Sequence, residues 1–118
     1  MNLDLYSDRA KQAVQSAQSL ALARRHQQFA PEHLLKVLLE ERDGLARNLI
    51  TAAGGDARRA EADVETALKK RAQVTGGSGQ LYLDGDTARV FAAAEESSKS
   101  AGDAFVTTER LLAGLAKE

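Results

Sequence analysis

The sequence predicts an all-α domain, and three observations predict it. Alanine and leucine dominate a chain that holds a single proline. Aromatic residues make up only 4% and β-branched residues are scarce, so little of the chain prefers an extended backbone. Apolar residues recur three and four positions apart over long stretches, the spacing that lines one face of a helix.

Each element follows from local signals. Helix one runs from Ser7 to about Arg25, with Ala10, Ala13, Val14, Ala17 and Ala21 on one face and the Ser7 hydroxyl placed to cap its N-terminus. Helix two, from Pro31 to about Arg42, starts on a residue with no amide proton to lose and carries the stripe Leu34, Leu35, Leu38 and Leu39. After Asp43 and Gly44, the run Leu45, Leu49, Ile50 and Ala53 reads as a short third helix stopped by Gly54 and Gly55. Asp56 caps a fourth helix with Ala57, Ala60, Val64, Ala67 and Leu68 inward.

The helical pattern fails between Arg71 and Asp86. Residues from about 72 to 85 read as a flexible linker inside one domain, with Leu81, Tyr82 and Leu83 as a brief extended segment. Asp84 or Asp86 then caps helix five, whose inward residues are Thr87, Val90, Phe91, Ala94, Ser98 and Ala101, and Gly102 with Asp103 ends it. Thr107 caps helix six, which carries Leu111, Leu112 and Leu115.

A shift of 77 residues superposes helix one on helix five and helix two on helix six without a gap. Ala17 then falls on Ala94, Glu32 on Glu109, Leu34 on Leu111, Leu35 on Leu112 and Leu38 on Leu115, while Val14 meets Phe91 and Phe29 meets Val106. The expected architecture is a pseudo-twofold repeat of helical motifs with helices one and five at its centre. Repeat one spans about 6–82 and a partial repeat two about 83–118, because the counterparts of residues 43–71 would fall past Glu118.

At 118 residues the chain supports one domain, here 1–118. Its 16 basic and 17 acidic residues, net charge −1, argue against nucleic acid as a partner, and Arg24-Arg25, Arg58-Arg59 and Lys69-Lys70 are diluted by neighbouring acids. With no cysteine, disulfides, thiolate metal sites and cysteine nucleophiles are excluded. Met1 to Arg9 contains Asp4 and Asp8 and does not read as a signal peptide, and no run approaches the roughly 20 apolar residues of a membrane span. A cytoplasmic location is expected.

Catalytic and metal chemistry is not visible. His26 and His33 lack the ligand company that zinc spacing requires, so His33 is expected to pack beside the leucine stripe while His26 closes the loop with hydrogen bonds. Gly76, Gly77, Ser78 and Gly79 are followed by no Lys-Ser/Thr pair and read as linker rather than phosphate cradle. No nucleophile elbow occurs, and the chain is expected to bind rather than catalyse, without a cofactor of its own. Surface recognition remains, through a groove between packed helices. Glu32 and Glu109 stand in the first turns of their helices, where a carboxylate complements the helix dipole or, beside a groove, pairs with a basic or amide group of a bound chain.

Tyr6-Ser7-Asp8-Arg9-Ala10, the long alanine-rich helix, Phe29-Ala30-Pro31-Glu32-His33-Leu34-Leu35 and its echo Val106-Thr107-Thr108-Glu109-Arg110-Leu111-Leu112 together resemble the Clp amino-terminal repeat family. The opening Met1-Asn2-Leu3-Asp4 and the turn Gly102-Asp103-Ala104-Phe105 look most like its disaggregase branch. The resemblance covers essentially the whole chain. It implies a substrate-recruiting domain joined by a flexible linker to ATP-driven rings of a homohexameric parent, with ATP and magnesium belonging to that parent, since no Walker motif occurs here. The implied partners are unfolded or aggregated polypeptides, and in relatives adaptor proteins. Another branch uses its two Glu positions, here Glu32 and Glu109, to hold phosphorylated arginine. By matching position, the resemblance makes Ser7, Asp103 and Glu109 polar positioning groups and Phe91 and Leu112 apolar contacts. Each has a purely structural alternative: Ser7 as a cap, Asp103 as a turn residue, Phe91 and Leu112 as core. Arg110 is the second-copy equivalent of His33, in a segment where relatives often carry an apolar residue or histidine, so it departs from the family pattern.

Overall fold

In the computed structural model, which describes residues 3–41, 44–71 and 81–117, a 3-10 turn at Leu3–Leu5 leads into α1 (Asp8–Ala23). Ser7 sits in an extended conformation and its Oγ accepts the Ala10 amide at 3.2 Å, which starts the helix. A two-residue strand β1 (Gln28–Phe29) precedes α2 (Pro31–Glu40), then α3 (Leu45–Ala52) and α4 (Ala57–Lys69). Asp56 Oδ1 caps α4 by accepting the amides of Arg58 and Arg59. Strand β2 (Tyr82–Leu83), α5 (Gly85–Ala101) and α6 (Thr108–Lys117) complete the described chain. The fold is all-α, with six helices and only two-residue strands among the described residues.

Two short parallel pairings tie the halves together. β1 pairs with β2, Gln28 opposite Tyr82 and Phe29 opposite Leu83, and Tyr6 bridges Val106 in the same sense. The Ser7 amide donates to Val106 O at 2.8 Å and the Asp84 amide to Phe29 O at 3.1 Å. Ser7 and Asp84 are 77 residues apart, and Phe29 and Val106 are 77 apart, so each half lends a strand to the other in the same register.

Between the strands lies an aromatic cluster. Phe91 meets Tyr6 edge-on at 6.0 Å and Phe29 at 6.0 Å. Around it the faces read from the sequence are buried: Ala10, Val14, Ala17 and Ala21 of α1, Leu34, Leu38 and Leu39 of α2, Val64 and Leu68 of α4, and Val90, Phe91 and Ala94 of α5. Thr87 is buried too, its hydroxyl donating to Phe29 O at 2.7 Å.

Several expectations are corrected at the element ends. α1 stops at Ala23 and α2 at Glu40 because the chain turns there: Arg25 adopts a left-handed φ of 59° and Glu41 is extended. Asp84, not Asp86, occupies the N-cap position of α5, but its side chain makes no capping hydrogen bond, and Asp86 pairs with Arg89. Of the expected linker, residues 72–80 lie outside the described residues, whereas β2 and the α5 cap occupy 82–84. Ala101, expected inward, is exposed because α5 ends there and reverses at Gly102. α3 turns the small Ala46 to the core and leaves Leu45 and Leu49 outside, 39% and 46% exposed.

Candidate functional site: an interhelical groove

A groove of about 580 Å³ runs along α1 and is closed on its other sides by the end of α2, the start of α3 and the first half of α6. α1 presents Arg9, Gln12, Ala13, Ser16, Ser19, Leu20 and Ala23 to it. At the helical rise of 1.5 Å per residue that wall is roughly 21 Å long. Across from it stand Val37 and Leu38, Leu45 and Ala46, and Leu112, with Glu40, Glu41 and Thr108 at the edge. Leu20, Val37 and Leu112 are half-buried, seated against the core on one side and open to the groove on the other. The floor of the groove is apolar, and a few charged groups stand at its rim.

The residues singled out in the sequence are dispersed by the fold. Leu112 lines the groove. Ser7 is the α1 cap. Phe91 is 3% exposed in the aromatic core and, as placed, offers no surface to a ligand. Asp103 accepts from Arg110 Nε at 3.0 Å. Glu32 is held by Arg71, whose Nη2 lies 2.7 Å from Glu32 Oε2. Glu109 is exposed in the first turn of α6. None of these five is part of the groove lining. Sequence reading missed Arg9, Gln12, Val37 and Thr108. The only available signal was that Val37 and Leu20 fall at the flank of their apolar stripes rather than at the centre.

The histidines are structural and fully specified. The Ala30 amide donates to His33 Nδ1 at 2.9 Å, and His33 Nε2 lies 2.8 Å from His26 Nδ1. An amide nitrogen only donates, so His33 Nδ1 carries no proton; its Nε2–H then donates to His26 Nδ1, and His26 keeps its own proton on Nε2. Ala30 has no side chain to cap α2, and His33, at the third helical position, reaches back to the capping amide instead. Burial lowers both pKa values, His33 to about 4, and Arg71 adds to the effect on each while Glu32 opposes it. Among the described residues no group of three or more His, Cys, Asp or Glu could hold a metal ion. No helix among them is long and apolar enough to cross a membrane.

The class of protein this fold defines is a small helical domain with an interhelical groove. Residues 5–118 match the Clp repeat (R) N-terminal domain, and the chain belongs to that family. It is 55% identical over 118 residues to "Chaperone protein ClpB" of Mesorhizobium japonicum and 53% identical to that of Rhizobium meliloti, covering 100% of this chain and 14% of each relative. This chain therefore spans about one seventh of those proteins. Among solved structures it resembles the N-terminal domain of the ClpV1 ATPase from E. coli, with a TM-score of 0.86 at 21% identity, covering 98% of this chain and 70% of that one. It also resembles the Hsp104 N-terminal domain from Candida albicans, with a TM-score of 0.85 at 19% identity, covering 93% and 72%. The likeness to these structures is one of fold.

Proposed function

We propose that this domain recruits unfolded or aggregated polypeptide segments by seating apolar side chains in the α1–α2–α3–α6 groove, and hands them to ATP-driven rings of a homohexameric, cytoplasmic parent. It acts by binding, with no catalytic step of its own; ATP and magnesium belong to the parent. The observation that carries this reading is the groove itself: Leu20, Val37 and Leu112 are half-buried against the core and face a cleft of about 580 Å³. Half-buried apolar side chains in a cleft gain most when a further apolar group completes their burial. The relatives named as ClpB chaperones support the polypeptide as partner. Low single-site affinity suffices if six copies act together, because a captured chain meets the remaining sites at high effective concentration.

The experiment is titration of this chain into a fluorescently labelled, permanently unfolded protein. Leu112→Ser and Val37→Ser are expected to weaken binding about tenfold each by removing apolar contact area. Absence of saturable binding, or two variants that bind as well as the parent sequence, overturns the reading. A folded adaptor whose contacts map to a convex helix face while the groove stays unperturbed would replace it with adaptor docking.

A further inference from the structure

Two of the three basic doublets meet at one end of the fold. Arg24 and Arg25 close α1, Lys69 and Lys70 close α4, and Arg71 follows. Arg24 Nη2 lies 2.9 Å from Glu65 Oε2, one turn before Lys69 on α4, and Lys36 of α2 lies 3.6 Å from the same oxygen. Arg71 Nη2 crosses to Glu32 Oε2 at 2.7 Å, and the charges of Arg24 and Arg71 both act on the His26 ring. These six cations outnumber the carboxylates among them, Glu32, Glu61 and Glu65, by three, in a chain whose net charge is −1. The carbonyl ends of α1 and α4 offset about one unit of that surplus. Arg24, Lys36 and Arg71 are engaged by these carboxylates. Arg25, Lys69 and Lys70 are exposed and have no ion pair among the described residues, and residues 72–80, next in sequence, include no acid. Arg25 also holds a left-handed φ of 59°, where the matching position of the second copy is Gly102. Arg24 already occupies the α1 C-cap, so the helix end does not require a second cation in a strained conformation.

We infer that this basic end is a second docking surface, apart from the groove, that takes an acidic polypeptide segment through Arg25, Lys69 and Lys70. None of the three lines the groove, so the two surfaces are open to different ligands. The paired carboxylates decide the chemistry of the occupant. A phosphate backbone, with charge at every step, would run against Glu32, Glu61 and Glu65 as it crossed the patch. Separate aspartate or glutamate side chains on an extended segment can meet the three free cations and leave neutral residues over the paired acids. The attraction extends over a Debye length, about 10 Å at 0.1 M salt, so the surface draws in acidic segments before contact is made.

The test titrates this 118-residue chain into labelled twelve-residue peptides in which glutamates, or glutamines in their place, alternate with serine and glycine. At low salt the glutamate peptide is expected to bind about tenfold tighter than the glutamine peptide, the span of three exposed ion pairs, and to lose that advantage at roughly 0.5 M salt. The amide shifts it causes should fall at Arg25, Lys69 and Lys70 and spare Leu112 in the groove. Lys69→Gln with Lys70→Gln should weaken the glutamate peptide about fivefold, and Arg25→Gly about threefold although that variant is expected to gain stability. Arg58→Gln with Arg59→Gln, the doublet at the other end of α4, should leave binding unchanged. Equal binding of the two peptides, an Arg25→Gly chain that binds as tightly as the parent sequence, or shifts confined to the groove overturns the inference. So does a single-stranded oligonucleotide of equal length that binds more tightly than the glutamate peptide, because it gives the surface to a phosphate polymer.

Discussion

Arg25 and Gly102 close α1 and α5 with the same left-handed turn, φ 59° and 73°, 77 residues apart. In each, the following amide reaches back five residues, His26 to Ala21 O at 2.9 Å and Asp103 to Ser98 O at 2.9 Å, and the turn residue's own amide reaches Leu22 O or Lys99 O. This is the Schellman geometry, in which glycine is the usual turn residue because a Cβ crowds the left-handed backbone. Arg25 is exposed and has no ion pair among the described residues to offset that crowding.

Arg25→Gly is therefore expected to stabilise the chain by about 0.5–1 kcal/mol, the relief of left-handed strain less the greater freedom of glycine in the unfolded state. Gly102→Ala is expected to destabilise by about 1 kcal/mol although nothing lies within 4 Å of the added Cβ. Urea denaturation of both variants checks the pair; a destabilised Arg25→Gly would mean that Arg25 makes a compensating contact.

The residues just past those turns carry different chemistry at matching positions. His26 and His33 form a buried, neutral pair, and 77 residues on Asp103 and Arg110 form a half-exposed ion pair at 3.0 Å. Arg110 also donates to Ser97 Oγ at 3.0 Å, which pins α6 to the end of α5. The same seven-residue contact across the turn is kept, made by two rings in the first copy and by an ion pair in the second.

The burial of His33 gives a pH prediction with a definite sign. Burial holds His33 at about 4 in the folded chain against an ordinary 6.5, so the unfolded chain binds more protons between those values. The stabilisation is fully present above pH 6.5 and is lost as pH falls toward 4, on the order of 3 kcal/mol over the window. Arg71 and Arg24 beside His26, and Arg71 beside His33, oppose protonation, while Glu32 favours it at both rings. His33→Gln keeps an acceptor for the Ala30 amide and a donor for His26 without titrating. Its stability should fall less between pH 7 and pH 5 than that of the parent sequence; equal slopes would place the acid sensitivity elsewhere.

Much of this was legible in the sequence because it depends on local rules. Ser7 and Asp56 cap helices for reasons visible in three residues, and the stripe Leu34, Leu38, Leu39 faces inward because helical spacing leaves it no alternative. What the sequence hid depends on which helix packs where. Leu45 and Leu49 look like core residues until α3 turns Ala46 inward instead, and Glu32 looks available until Arg71 arrives from the end of α4. The groove was least legible of all, since Arg9, Val37 and Leu112 are brought together from three helices separated widely in sequence.

Gly114 shows how closely two helices can be required to pack. A Cβ there would lie 2.7 Å from Val90 O and 3.3 Å from Val90 Cγ1, so α6 crosses α5 with backbone against backbone. Gly114→Ala must push α6 away, and overpacking of this kind costs about 1–3 kcal/mol. Denaturation measures the loss. Unchanged stability would show that α6 shifts freely on α5.

A chain of charges links the end of α1 with α2, α3 and α4. Arg24 at the C-cap of α1 binds Glu65 of α4 at 2.9 Å, Lys36 of α2 lies 3.6 Å from Glu65 and 3.8 Å from Glu61, and Arg47 of α3 binds Glu61 at 2.8 Å. The Arg24 hydrogen bond holds the Glu65 carboxyl below its ordinary range. Isolated surface pairs contribute little, but Glu61 is shared by two cations and Arg47 also ties the Leu39 carbonyl, so its removal loosens α3 and α2 together. Glu61→Gln is expected to cost about 1 kcal/mol at low ionic strength and less than half of that near 1 M salt, where the Debye length falls to about 3 Å. Thermal melts of both chains at the two ionic strengths read the difference. A cost that does not shrink with salt would mean that Glu61 acts through packing of its side chain and not through its charge.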